Sequence, residues 1–186
     1  MKPELLSREN SVLVVVDFQE KLMPHIFERE RILKRAELLI FAAGKLGIPV
    51  LATEQYPKGL GKTVTDISSV WPGCVPIEKT DFSCAGSGEF MEKLAALGRR
   101  QVVITGVEAH VCVSQTALEL AARSFSVFVI ADATGSRKAL DARLALRRLE
   151  ACGVTVVGAE AAVFEWLRKS GTAEFREVQQ KIKENG

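Results

Sequence analysis

The sequence predicts one three-layer α/β domain, with a six-stranded parallel sheet between helices on both faces. Short apolar runs alternate with longer segments of helical period, as they do in repeated βαβ units. The runs are almost continuous Val, Leu and Ile, which is typical of strands buried on both faces. The length of 186 residues is that of one ordinary domain. We therefore expect residues 1–186 to form a single domain.

Six apolar runs bounded by turn residues are the predicted strands. In chain order they cover residues 11–16, 49–53, 75–78, 101–106, 126–131 and 154–158. The stretch 54–73 contains three glycines and two prolines, too many helix and strand breakers for one long element. We predict a loop there with room for one short helix. It is a candidate pocket wall, because open α/β sheets bind ligands at loops that leave the carboxyl ends of strands.

Six segments of helical period are the predicted helices, at residues 32–45, 89–97, 111–123, 140–151, 159–170 and 173–183. In the first of them Leu38, Leu39 and Ala42 share one stripe, and Gly47 ends the helix. The fourth has leucines on a predicted inner side and arginines on a predicted solvent side: Leu140, Leu144 and Leu149 against Arg143, Arg147 and Arg148.

The composition is that of a soluble globular protein, with 25 basic against 23 acidic residues and a formal net charge of +2. The basic residues are scattered, so we expect no nucleic acid as the main partner. No apolar run is long enough for a bilayer, and residues 1–10 lack the apolar core of a signal peptide. The four cysteines form no Cys-x-x-Cys pair. We expect a cytoplasmic protein without membrane contact.

Three reactive side chains fall at or just beyond the ends of three predicted strands: Asp17, Lys79 and Cys112. Parallel strands bring those ends to one edge of the sheet. Cys112 is predicted in the first turn of a helix, where the dipole and a nearby ammonium would lower the pKa of its thiol. A carboxylate could accept the thiol proton, and backbone N–H groups of the turn could hold an oxyanion.

Each of these residues also has an ordinary structural interpretation. An isolated cysteine is commonly a small buried hydrophobe, an aspartate after a strand is commonly a turn former, and a lysine at a strand end is commonly just solvated. The convergence of all three on one edge favours the functional interpretation. Cys84 follows Lys79 closely, and whether it lines the pocket stays open.

Three motifs resemble those of the isochorismatase-like cysteine hydrolase family, which has a Rossmann-like α/β fold. They lie at residues 14–19 (VVVDFQ), 78–83 (EKTDFS) and 104–113 (ITGVEAHVCV). The resemblance implies a Cys-Lys-Asp triad of Cys112, Lys79 and Asp17 and a thioester-type intermediate. It also implies a cis peptide bond between Val107 and Glu108, with the N–H groups of Glu108 and Cys112 as the oxyanion hole.

This sequence differs from two subgroups of that family, and the differences reduce the number of reactions it is expected to catalyse. Its nicotinamidases carry an Asp and His metal cluster after the second strand, where this chain reads Thr53-Glu54-Gln55-Tyr56. The only histidines are His25 and His110, so we expect no metal and no cofactor. Its true isochorismatases commonly lack the cysteine. Residues 53–61 together with 108–110 look most like the isochorismatase-domain-containing branch.

The resulting hypothesis is hydrolysis of a carbonyl C–N bond in a small-molecule amide, ureide or related compound. The residues expected to shape the substrate pocket are Gln19, Gln55, Tyr56, Phe82 and His110. The family resemblance implies a homo-oligomer. The alternative is a binding or assembly module in which Cys112 is a redox-sensitive or ligand-holding thiol. A nucleotide-binding Rossmann role is weaker, because no Gly-x-Gly-x-x-Gly turn follows the first strand.

Overall fold

The structure is a computed structural model that describes residues 4–184. A six-stranded, fully parallel sheet forms its centre. The spatial order is β3-β2-β1-β4-β5-β6, and every neighbouring pair is parallel. The strands are β1 (Ser11–Val16), β2 (Val50–Gln55), β3 (Ile77–Lys79), β4 (Gln101–Val107), β5 (Ser126–Gly135) and β6 (Thr155–Val157). The predicted three-layer α/β fold is confirmed.

Helices cover both faces of this sheet. They are α1 (Arg29–Leu46), α2 (Pro57–Leu60), α3 (Thr65–Ser68), α4 (Gly88–Ala96), α5 (Ser114–Ala122), α6 (Ala139–Ala151), α7 (Ala159–Leu167) and α8 (Ala173–Glu184). One apolar core joins the sheet to α1, α7 and α8, and a second joins it to α4, α5 and α6. None of the helices within residues 4–184 is long and apolar enough to cross a bilayer.

The alternation of side chains along β1 explains why the buried strands are apolar throughout. Leu13 and Val15 belong to the core under α1, whereas Val12, Val14 and Val16 belong to the core under α5. Successive residues of a strand point to opposite faces, so a strand covered on both sides has no polar face. All six residues of β1 are buried as a result.

The order of the strands creates the crevice in which chemistry is expected. The chain moves outward from β1 to β2 and β3, and then returns to place β4 on the other side of β1. In open parallel sheets the connections on the two sides of such a switch point diverge and leave a ligand-sized gap at the carboxyl ends. The residues that follow β1 and β4 therefore face one another across this gap.

Several element boundaries differ from the predicted ones because strand pairing extends past the apolar runs. β2 continues to Gln55, since Glu54 and Gln55 pair with Glu78 and Lys79 of β3. Lys79 is thus the last residue of its strand, and Val75, predicted to begin that strand, is 78% exposed. β5 continues to Gly135 after a register shift against β4.

Two helical predictions need correction. The stretch 54–73 holds two short helices, α2 and α3, in place of one. In α6 only Leu149 of the predicted inner leucines is fully buried, because Leu140 and Leu144 are about half exposed. The face of α6 that packs against the rest of the protein is therefore narrower than its sequence pattern predicts.

Candidate active site

Asp17 lies directly beyond β1, with its backbone in the left-handed region at φ 54°. Aspartate tolerates that conformation better than most residues. Its side chain is fully buried, and both carboxylate oxygens are occupied. Oδ1 accepts a hydrogen bond from the Thr53 hydroxyl at 2.7 Å, and Oδ2 accepts one from Lys79 Nζ at 2.7 Å. The carboxylate is therefore held in one orientation from two sides.

Lys79 brings a fully buried ammonium group to that carboxylate. Besides Asp17, its Nζ donates to Gln55 Oε1 at 2.8 Å and approaches the carbonyl oxygens of Phe82 at 3.1 Å and Asp81 at 3.3 Å. Burial is the largest single influence on the pKa of the Lys79 ammonium and lowers it, but the Asp17 carboxylate together with the sulfur groups of Cys84 and Cys112 raises it, and the net direction is upward. Lys79 is a fixed positive charge in the crevice.

Cys112 lies in a π-helical turn, Ala109–Val113, that comes before α5. Its thiol is nearly enclosed. Burial and, after it, the Asp17 carboxylate raise the pKa of this thiol to about 12, against the opposing effect of Lys79. The expectation of a lowered thiol pKa is therefore wrong. The regular helix starts only at Ser114, and loss of water around the sulfur outweighs the nearby ammonium.

The Asp17 carboxylate lies near enough to the Cys112 thiol for its charge to raise the pKa of that thiol. Acid, amine and thiol therefore meet in one buried cluster. Because the resting thiol keeps its proton, any attack by sulfur requires that the proton leave as the bond forms. The Asp17 carboxylate is the neighbouring group that can receive it.

The turn between β4 and the π-helical segment carries the cis peptide bond, between Val107 and Glu108. Gly106 precedes it at φ 145°, and a Cβ there would lie 2.2 Å from the carbonyl oxygen of Val16. A glycine is required where β4 passes so close to β1. The carbonyl of Glu108 then accepts hydrogen bonds from the N–H groups of Val111 at 3.0 Å and Val113 at 3.3 Å, which closes the turn.

The segment that follows β5 makes hydrogen bonds to the outer side of this turn. The Glu108 carboxylate oxygen Oε2 accepts hydrogen bonds from Arg137 Nε at 2.9 Å and from the Arg137 backbone N–H at 3.2 Å. Ser136 Oγ and His110 Nδ1 are 2.9 Å apart. Glu108 and His110 are thereby bound to the neighbouring residues Arg137 and Ser136. These contacts hold the turn that contains Cys112 from its outer side.

Two residues expected to bind substrate are engaged with the protein itself. Gln19 is completely buried, donating to the carbonyl oxygens of Gln55 at 3.0 Å and Gly61 at 2.8 Å while accepting from the Gln55 N–H at 2.8 Å. Gln55 holds Lys79 and donates to the Thr80 carbonyl at 2.7 Å. In this arrangement both amides brace the β2 and β3 ends.

The three remaining candidates lie at the surface of the crevice. Tyr56 and Phe82 are both 54% exposed, and His110 is half-buried. A cavity of about 420 Å³ opens beside the end of β3. Its lining residues are Tyr56, Pro57, Lys58, Glu78, Lys79, Thr80, Asp81 and Ser87. The cavity reaches Lys79 from the edge of the sheet, whereas Cys112 faces the switch point between β1 and β4.

Sequence reasoning missed Thr53 and left Cys84 open. Thr53 Oγ1 donates to Asp17 and lies 3.7 Å from Cys84 Sγ, while the Cys84 N–H donates to Thr116 Oγ1 at 2.9 Å. Cys84 is fully buried, and burial together with the Asp17 charge raises the pKa of its thiol to about 11. It lies behind the carboxylate. The sequence signal that could have identified Thr53 was its position as the last residue of the predicted second strand, 49–53, on the same sheet edge as Asp17.

The described part of the chain, residues 4–184, contains no group of three or more His, Cys, Asp or Glu side chains arranged to hold a metal ion. The titratable groups of the crevice are instead one carboxylate, one ammonium and two thiols, from Asp17, Lys79, Cys112 and Cys84. The chemistry available to these residues is proton transfer and nucleophilic attack by sulfur.

A doubly wound parallel sheet with this cluster at its switch point is an α/β fold of the Rossmann-like class. The family model for the isochorismatase domain matches residues 11–161. The chain belongs to the isochorismatase family, as its three motifs predicted.

Similar proteins agree with that assignment. Isochorismatase domain-containing protein 1 of Danio rerio is 40% identical over 96% of this chain, which spans only 62% of the length of that relative. The structure of the MAR1 ribonuclease from Caenorhabditis elegans is 36% identical, with a TM-score of 0.90 over 97% of this chain and 93% of that one. The YcaC protein of Escherichia coli, described as an octameric hydrolase of unknown specificity, is 22% identical. Its TM-score is 0.91 over 100% of this chain and 95% of that one, which shows the shared fold.

Proposed function

We propose that this protein hydrolyses a carbonyl C–N bond in a small-molecule amide, ureide or related compound, with Cys112 as nucleophile. The observation that supports the proposal most is the buried contact of Lys79 with Asp17, beside a thiol whose pKa the same carboxylate raises. Burying a charged pair costs free energy, and proteins retain such pairs where a reaction needs them.

In the first half of the reaction, Asp17 accepts the proton of the Cys112 thiol while the sulfur attacks the carbonyl carbon. The N–H groups of Glu108 and Cys112 hold the oxyanion that forms. Asp17 then returns the proton to the nitrogen of the leaving group as the C–N bond breaks. An amine or ammonia leaves, and the acyl group stays on sulfur as a thioester.

In the second half, a water molecule replaces the leaving group. Asp17 removes a proton from that water as its oxygen attacks the thioester carbonyl, and the proton is returned to sulfur when the C–S bond breaks. Lys79 keeps Asp17 in place and balances its charge through both halves. The net reaction consumes one water and needs no cofactor.

Small molecules suit this site better than RNA, because the thiol is nearly enclosed and the basic residues are scattered along the sequence. The C. elegans relative is called a ribonuclease, so RNA belongs in the same assay. We also propose a reducing, cytoplasmic location, which suits four free cysteines.

The test is a screen of amides, ureides, N-carbamoyl compounds and RNA with the wild type, Cys112→Ala and a control, Cys152→Ala, whose thiol is exposed. We expect turnover by the wild type and the control, and none by Cys112→Ala. Quenched reactions should carry an acyl mass on the peptide containing Cys112. Turnover unaffected by Cys112→Ala would refute the proposal, and ligand binding without turnover would favour the binding-module alternative.

A further inference from the structure

The segment between β3 and α4 binds the Lys79 ammonium through its backbone. The carbonyl oxygens of Asp81 and Phe82 lie 3.3 Å and 3.1 Å from Lys79 Nζ. Backbone carbonyl groups keep their direction only while the segment that carries them keeps one conformation. The conformation of this segment therefore helps to decide where the Lys79 ammonium lies.

Helix α5 holds that segment at two points. Thr116, which is fully buried, accepts a hydrogen bond on its hydroxyl oxygen from the Cys84 N–H at 2.9 Å. Further along the helix, the exposed Glu119 accepts a hydrogen bond from Ser83 Oγ at 3.1 Å. Residues three apart on a helix are neighbours on its surface. Thr116 and Glu119 therefore form one contact surface for the segment, with the Thr116 bond on the buried side.

The same segment also supports Asp17. Cys84 Sγ lies 3.7 Å from Thr53 Oγ1, and that hydroxyl donates to Asp17 Oδ1 at 2.7 Å. Cys84 thus contacts Thr116 through its backbone and Thr53 through its side chain. The segment that Thr116 holds therefore contacts Lys79 directly and reaches Asp17 through Thr53.

The nucleophile belongs to the same helical stretch as Thr116. Cys112 precedes Thr116 by four residues, about one helical turn, and the π-helical turn that contains it continues directly into α5. The distance between the two residues is therefore set by helical geometry. One helical stretch thus fixes the thiol at its start and, one turn later, the segment that supports the ion pair.

We propose that Thr116 is a positioning residue, which sets the places of Lys79 and Asp17 relative to the Cys112 thiol by holding the backbone at Cys84. This inference rests on the proposed function, because it concerns the geometry of that reaction. Without the Thr116 hydroxyl, the buried Cys84 N–H lacks an acceptor. A buried donor without a partner is unfavourable, so the segment moves and its carbonyl groups leave Lys79 Nζ.

The experiment compares Thr116→Val, which removes the hydroxyl at nearly constant volume, with Thr116→Ser, which keeps it. The control is Ser11→Ala. Ser11 is equally buried, and its hydroxyl is bonded to Gln101 and Trp166 at the amino end of β1, away from the crevice. Urea unfolding gives the stability of each variant, so that a loss of stability can be told apart from a loss of position.

Two measurements report on position. The first is the NMR signal of the Lys79 ammonium in protein with isotope-labelled lysine, identified by its absence from Lys79→Arg. A buried, hydrogen-bonded ammonium exchanges its protons slowly with water, so the signal is sharp only while the acceptors stay in place. The second is the rate of Cys112 alkylation by iodoacetamide relative to that of the exposed Cys152.

We expect the Lys79 signal to broaden or vanish in Thr116→Val. The relative rate at Cys112 should fall roughly tenfold or more, since a displacement of about 1 Å can slow a reaction by about 100-fold. Thr116→Ser should restore both, and Ser11→Ala should leave both unchanged while lowering stability. An unchanged signal and rate in folded Thr116→Val would overturn the proposal, as would an equal loss of both in Ser11→Ala.

Glu119→Ala decides the matter if Thr116→Val does not fold. Glu119 is exposed, so this variant should fold, and we expect both measurements to change in the same direction by a smaller amount. No change in either would overturn the proposal. The proposed function fails separately: a wild type that hydrolyses none of the screened compounds refutes hydrolysis, whereas the Lys79 signal still tests Thr116.

Discussion

Among single residues, Cys112 is the one whose chemistry depends most on its surroundings. A thiol at the end of a polar turn in water would ionise near its usual pKa, but burial and the Asp17 carboxylate raise the pKa of this thiol to about 12. The same carboxylate that disfavours the thiolate can accept the proton during attack. The reactivity of Cys112 is therefore expected to depend on Asp17 as a base.

Asp17→Asn separates these two effects of the carboxylate. If sulfur reacted only as a preformed thiolate, removing the negative charge would speed alkylation by iodoacetamide. We expect the opposite: a fall in the rate of Cys112 alkylation at neutral pH of roughly 100-fold or more, the usual contribution of a positioned base. Labelling of the exposed Cys152 in the same sample is the internal control. A faster reaction at Cys112 would exclude Asp17 as the base.

Among the elements, the contact between β1 and β4 sets the shape of the nucleophile turn. At Gly106 the two strands approach so closely that a side chain there would meet the backbone of Val16 directly. Backbone cannot move aside as the end of a flexible side chain can. The crevice between Asp17 and Cys112 thus depends on one glycine of β4.

Gly106→Ala should lower the free energy of unfolding by at least about 3 kcal/mol, because it adds a backbone clash to a conformation that side chains rarely adopt. Gly44→Ala is the matched control. Gly44 lies in α1 with nothing within 4 Å of an added Cβ, so alanine there should stabilise by about 0.5–1 kcal/mol. Urea unfolding measures both. Equal stability of Gly106→Ala and wild type would contradict the close approach.

For the whole molecule, the buried thiols link stability to pH. Burial raises the pKa of Cys74 and of Cys84 from 9.0 to about 11 and that of Cys112 to about 12. Between the usual thiol pKa of 9.0 and the raised pKa of about 11, the unfolded chain has lost thiol protons that the folded chain retains. The folded state is therefore favoured fully below pH 9 and loses that advantage as the pH rises. The raised pKa of Lys79 acts in the same direction.

We expect the free energy of unfolding to fall steadily from about pH 9 to about pH 11, because over this range the unfolded chain gives up thiol protons that the folded chain keeps. Urea unfolding under reducing conditions measures the slope. Cys84→Ala should show a shallower fall, because one titrating group is gone. A stability that stays constant over this range would mean that the thiols are not protected from water in the folded protein.

Self-association is also a property of the whole molecule. The family resemblance led us to expect a homo-oligomer, and Leu140 and Leu144 of α6 are about half exposed. Exposed apolar side chains on one helix are typical of surfaces that bind another protein. We expect light scattering on the purified chain to give a mass that is a multiple of 20.3 kDa. A monomer at micromolar concentration would contradict this expectation.

The layered fold, the family and the residues that meet at the switch point could all be predicted from the amino-acid sequence. The reason is that strand periodicity, the position of each strand end and the three motifs are all local features of the chain. Asp17, Lys79 and Cys112 could be named because parallel strands bring their carboxyl ends to one edge. The helices followed from the same periodicity, but α5 begins at Ser114 and α7 ends at Leu167, three residues inside the predicted bounds. The predicted inner side of α6 was also wrong at Leu140 and Leu144.

The behaviour of these groups, in contrast, depends on contacts that exist only in the folded chain. The pKa of the Cys112 thiol depends on how much water surrounds it and on its contact with Asp17, and both arise between segments far apart in sequence. The bracing of Gln19 and Gln55, the bond from Thr53 to Asp17, and the hold of Glu108 on Arg137 likewise join distant residues. A pattern along the chain carries no distances between such residues, and burial and hydrogen bonding depend on those distances.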